Sequence, residues 1–180
     1  KYANNKMKVL KQISQQIGKW IFVLNLPLLI LIILFPGAFI NIFFGSQYLG
    51  AENALRFLAI GLFVKSIFDV SNRLISMIGK SRLILIDISV TAVVNLILNI
   101  ILIPAFGIDG AAFATMISLI ILNVLFLVQA KRYLSIIPVR RKMFNIFLIS
   151  LIPAVLLWYL RKQVNYSNPF ILAMFGLFFL

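Results

Sequence analysis

In the stretch VKSIFDVSNRL, residues 64–74, Lys65, Asp69 and Arg73 recur every four positions. On a helix that interval keeps all three on one face. Lys65 and Arg73 then lie about 12 Å apart along the axis, at 1.5 Å per residue. Asn72 and Ser76 widen the same face. Two cations around one anion can do either of two things. Asp69 can neutralise them by i,i+4 pairing and so fix this helix against a neighbour. Or the face, with its surplus of positive charge, can hold an anionic group such as a phosphate, which Lys meets as a point charge and Arg as a planar fork. Lys65 is the stronger binding candidate, with Asp69 as its counter-ion. Arg73 lies nearer the helix end, where a long side chain can reach the interface without any binding role.

A second polar row follows at the same interval: Asp87, Thr91, Asn95 and Asn99. Such a row marks either a contact between helices or an aqueous path, and both readings stay open; Asp87, near the end of its segment, can also be interfacial. The candidate cavity residues are therefore Lys65, Asp69, Asn72, Arg73, Thr91 and Asn95. The chain has no Cys and no His, and only four acids, Glu52, Asp69, Asp87 and Asp109. This excludes thiol catalysis, disulfides and His- or Cys-ligated metal sites. No clustered acids offer general acid–base chemistry, so no enzyme, metal or cofactor is expected.

The elements that position these residues follow from composition. Of the 180 residues, 63% are hydrophobic and 12% are charged, with a mean hydropathy of +1.09. Soluble domains average about 25% charged residues. Uncharged runs span residues 20–51, 88–108, 110–130, 143–160 and 163–180. A helix needs about 20 mostly apolar residues to cross the hydrocarbon core. The chain therefore reads as all-α, a polytopic transmembrane helix bundle of about six spans. A charge near the bilayer centre costs about 2.5–3.5 kcal/mol on insertion scales. The Lys65 face must then meet protein or water rather than lipid.

Three regions follow along the chain. Residues 1–19 carry five Lys, with Met7, Leu10, Ile13 and Ile17 at helical spacing, and read as an amphipathic segment on the membrane face. Residues 20–135 hold four spans: about 20–44, 55–78, 83–103 and 110–130. Residues 136–180 hold one further span, about 143–160, and the beginning of a last one. Net charge is +13, from 17 basic residues. Twelve of those 17 fall in residues 1–19, in the turn GKSR and in the loop KRYLSIIPVRRK, all on one side of the membrane by alternation. Basic loops are cytoplasmic, so residues 1–19 lie on the cytoplasmic side of a multi-pass protein of the cytoplasmic membrane. Topology accounts for the basicity, and nucleic acid is not expected as a partner.

Two stretches carry a family resemblance: LPLLILIILFPGAFINIFFGSQY, residues 26–48, and NLILNIILIPAFGIDGAAFAT, residues 95–115. The first ends in Phe44, Gly45 and Tyr48. The second has Asn95 and Asn99, then Ile103-Pro104, then Gly107, Ile108, Gly110, Ala111, Ala112, Ala114 and Thr115. Both resemble the polysaccharide-export branch of the multidrug/oligosaccharidyl-lipid/polysaccharide (MOP) flippases. The resemblance covers about residues 1–135 and implies the C-terminal part of such a protein, with an N-terminal lobe of the same chain as partner. Its signatures are packing features. Gly107 with Ala111, and Gly110 with Ala114 and Ser118, are small residues four apart, which let helices approach closely in lipid.

The resemblance implies movement of a polyprenyl-diphosphate-linked oligosaccharide across the membrane by alternating access. The partners would be the bilayer and an anionic lipid-linked glycan. A coupling ion, Na⁺ or H⁺, is left open. Two other readings compete. A cation-coupled multidrug exporter would want acids in its cavity, and only Asp69 lies deep. A membrane glycosyltransferase or polymerase would want clustered acids, His or a large extramembrane loop, and this sequence has none of them.

Overall fold

The computed structural model describes residues 2–134 and Ser150. The described residues are all-α, with no strand. They comprise α1 (Tyr2–Leu34), α2 (Pro36–Phe43), a 3-10 turn (Ser46–Ala51), α3 (Glu52–Met77) and α4 (Ser81–Leu134). The spans expected at about 143–160 and from 169 onward lie outside the described residues.

In α1 a row four residues apart, Ser14, Gly18, Phe22 and Leu26, is buried. That row crosses the boundary expected at residue 19, so the Lys-rich segment and the first apolar run form one helix without a break. The helix runs through Pro27 and stops at Leu34. Phe35, with φ −126° and ψ 49°, sits outside the helical region, where a residue before proline is pushed. Pro36 then opens α2, a position that needs no N–H partner. The last carbonyls of α1 have no helical acceptor role left. One of them, Ile33 O, accepts a hydrogen bond from Arg56 Nε at 3.2 Å. Arg56 also donates to Asn53 Oδ1 at 2.9 Å and pairs with Glu52 at 3.8 Å.

The turn GKSR closes α3 by a Schellman arrangement. Gly79 has φ +74°, its N–H donates to Ser76 O at 3.0 Å, and the Lys80 N–H donates to Ile75 O at 3.3 Å. The long α4 is broken inside. Gly107 has φ +57° and ψ −130°, a combination open to glycine and hostile to a side chain. The chain reverses there. Gly110 comes so close to the Leu102 carbonyl that a Cβ at Gly110 would overlap it. The two arms of α4, 81–106 and 108–134, form an antiparallel hairpin.

Named contacts fix the directions of the helices. α1 and α3 are antiparallel: Ile33 at the end of α1 meets Arg56 near the start of α3, Phe22 meets Phe63 midway with ring centroids 5.5 Å apart, and Leu10 near the start of α1 packs by Val70 and Leu74 near the end of α3. α3 and the second arm of α4 run parallel. Asn53 meets Asp109, Phe57 meets Phe113 at 5.2 Å, Gly61 abuts Met116, and Leu74 packs with Leu134. The result is four helical segments that alternate in direction. The core lies along α3, in one cluster of Phe22, Leu26 and Ile67 and another of Val70, Leu74 and Leu134.

Two helices are long and apolar enough to cross a membrane, α1 over Gln12–Leu34 and α4. α3 is long enough, but Lys65, Asp69 and Arg73 interrupt its apolar stretch.

Candidate functional site

The two polar rows meet different surroundings. On α3 the buried positions are Ala54, Gly61, Ile67, Val70, Ser71, Leu74 and Ile75. Lys65 and Arg73 lie on the other face and are exposed, with Asp69 and Asn72 half-buried beside them. Asp69 binds Arg73: the guanidinium Nε donates to Asp69 Oδ2 at 3.3 Å. Among the described residues Lys65 forms no ion pair with Asp69; Asp69 pairs instead with Arg73, one turn further along the helix. Lys65 has no hydrogen bond or ion pair among the described residues. The face thus presents one neutralised pair and one free ammonium.

The row on the first arm of α4 turns inward. Asp87 and Thr91 are buried at 6% exposure each, and Gln129 of the second arm lies beside Asp87. Asn99 donates to Asn95 Oδ1 at 2.9 Å along the same arm. Three oxygens of this row, Asp87 Oδ2, Thr91 Oγ1 and Asn99 Oδ1, are buried without a hydrogen-bond partner among the described residues, as is Gln129 Oε1 across the hairpin. Thr91 is buried and Asn95 half-buried on this arm. Among the described residues no hydrogen bond or ion pair joins them to Lys65, Asp69, Asn72 or Arg73.

The small residues divide as well. Gly110, Ala114 and Ser118 are buried in one row, and Ser118 Oγ donates to Ala114 O at 2.8 Å. Ala111 is half-buried and Gly107 is exposed at the break. Gly107 makes the reversal and is not itself packed.

One polar contact escaped the sequence reading. Asn25 Nδ2 donates to Ser66 Oγ at 3.2 Å, which joins α1 to α3. Beside it runs an open groove of about 250 Å³ lined by Asn25, Leu28, Ile32, Leu62, Phe63 and Ser66. The available signal was Asn25 itself, alone as an amide in the apolar run between Trp20 and Ile40. In lipid such a side chain seeks a partner on another helix.

Comparison with known proteins adds to this geometry. No family model matches the chain, and no solved structure matches it. It is 27% identical over 163 residues to an uncharacterized membrane protein of Methanocaldococcus jannaschii, covering 84% of this chain and 32% of that protein. It is 33% identical over 113 residues to a probable low-salt glycan biosynthesis flippase, Agl15, of Haloferax volcanii, covering 63% of this chain and 24% of that protein. The chain spans about a third of the one relative and a quarter of the other. The two long apolar helices and these relatives together mark an all-α, membrane-associated chain with similarity to a flippase.

Proposed function

We propose that this chain is part of a membrane flippase that moves a polyprenyl-diphosphate-linked oligosaccharide across the cytoplasmic membrane by alternating access. The observation that carries the reading is the α3 face. Asp69 is held by Arg73, which leaves Lys65 as an unpaired cation in the middle of a helix flanked by two apolar ones. An ammonium at that depth is costly unless it faces water or an anion. A single free cation beside a neutralised pair suits a diphosphate that must bind and then leave. The similarity to a glycan biosynthesis flippase supports the same substrate class. In this reading a further lobe of the same protein closes over the α3 face. Asn72 and Ser76, on the same side, offer hydrogen bonds to sugar hydroxyls.

A cation-coupled drug exporter fits less well. Its cavity would need a free carboxylate, and the Asp69 carboxylate is engaged.

The test uses the full-length protein. Lys65→Ala should cause lipid-linked oligosaccharide to accumulate on the cytoplasmic leaflet while the protein still folds and inserts. The loss of export should be about tenfold or more, the scale of one charge-assisted contact to a phosphate. Normal export by Lys65→Ala would remove the cavity role. Lost insertion would assign Lys65 to structure.

A further inference from the structure

The hairpin of α4 brings together cations that are far apart in sequence. Lys80 Nζ lies 3.4 Å from the centroid of the Tyr133 ring. This cation–π contact ties the turn after α3 to the end of α4, so Lys80 and Arg82 lie at the same end of the hairpin as Lys131 and Arg132. Arg82, Lys131 and Arg132 are exposed. None of the four has a carboxylate partner among the described residues.

The rest of the chain offers them no acidic side chain either. The sequence has four acids, and none pairs with these cations among the described residues. Glu52 pairs with Arg56, and Asp109 meets Asn53, both at the opposite end of the bundle. Asp69 pairs with Arg73. Asp87 is buried against Gln129. The patch is therefore positive, with no carboxylate paired to it among the described residues; Asp87, about 7.5 Å along the axis from Arg82, is buried. Beside it stand Met77 at 72% exposure and Ile78 at 38%, with Tyr133 at 41%. Cations next to exposed apolar and aromatic side chains form the arrangement that suits the headgroup level of a bilayer.

We propose that Lys80, Arg82, Lys131 and Arg132 bind the headgroup of an anionic phospholipid, whose glycerol and upper acyl carbons lie against Met77 and Ile78. Charge complementarity selects an anion, and the apolar rim selects a lipid over free phosphate. Tyr133 positions Lys80 and is not itself a ligand to the phosphate. The site adjoins the α3 face at Met77, one turn beyond Arg73, but its four cations lie outside that row and the proposal does not depend on the export reading.

The experiment compares phosphatidylglycerol with phosphatidylcholine binding to the full-length protein in mixed micelles, by native mass spectrometry. Phosphatidylglycerol should bind preferentially. Each cation near an anionic surface contributes about fivefold, so Lys131→Gln with Arg132→Gln should weaken it about 25-fold, with an unchanged circular dichroism spectrum. Lys131→Arg should keep the affinity. Three results would overturn the proposal: equal binding of the two lipids, undiminished phosphatidylglycerol binding by the double variant, or displacement of the lipid by millimolar inorganic phosphate, which would assign the patch to free anions.

Discussion

α3 and the first arm of α4 carry the same kind of pattern, polar residues every fourth position, and the fold treats them in opposite ways. On α3 the row is turned out, with Lys65 and Arg73 exposed. On α4 the row is turned in, with Asp87 and Thr91 buried and Gln129 of the second arm beside Asp87. Spacing gives a face; neighbours decide where the face points. α3 packs its other side on both α1 and the second arm of α4, and those contacts are made by Phe22, Phe57, Gly61 and Leu74. The charged side is what remains. The α4 row instead lies on the concave side of a hairpin that Gly107 bends and Gly110 lets close.

The largest effect should come from removing that closure. Gly110→Val places side-chain atoms where the Leu102 carbonyl already sits. Overpacking of this kind costs about 3 kcal/mol at the upper end of its usual range. Thermal unfolding in detergent should show it, together with loss of the protection that the hairpin gives Asp87 and Thr91. An unfolding midpoint equal to the parent's would mean that the arms are not tightly closed at Gly110.

Next in size is the fate of the α3 row. Asp69→Asn breaks the pair with Arg73, whose side chain is 79% exposed. If the row faces water, stability should fall by no more than about 1 kcal/mol, the worth of an exposed pair. A loss of about 3–5 kcal/mol would instead mean that Arg73 is left uncompensated in a buried place, and the outward face would have to be abandoned.

The smallest change is expected in the α4 row. Thr91→Val replaces a buried hydroxyl that has no protein partner by a methyl of the same shape. Stability should stay the same or rise slightly, and export should be unaffected, in contrast to Lys65→Ala. An export defect in Thr91→Val would move Thr91 from the helix contact into the transport path and reduce the difference between the two rows.

Much of the helix inventory could be read directly. Apolar runs of membrane length, the turn GKSR and the Pro36 boundary are local features, and each has a local cause: hydropathy, a glycine with positive φ, a proline that excludes helix before it. The continuity of α1 through residue 19 was not legible, because composition changes there while the buried row Ser14, Gly18, Phe22 and Leu26 does not. Gly107 and Gly110 belong to one small-residue motif in the sequence, and the structure gives them different work: one bends the chain, the other admits a neighbour. Asn25 and Ser66 are unremarkable until two antiparallel helices place them 3.2 Å apart.

The sequence by itself determined that this is an all-α, membrane-associated chain, that its cations gather at segment ends, and that Lys65, Asp69 and Arg73 share one helical face. Those are one-dimensional properties, set by residue type and by a repeat of four. Only the tertiary structure decided that Asp69 pairs with Arg73 rather than Lys65, that the Asp87–Asn99 row turns inward, and that Lys80 meets Tyr133. Rotamer choice and helix rotation about the long axis depend on which neighbours fill the opposite side, and no periodicity in a single chain contains that information.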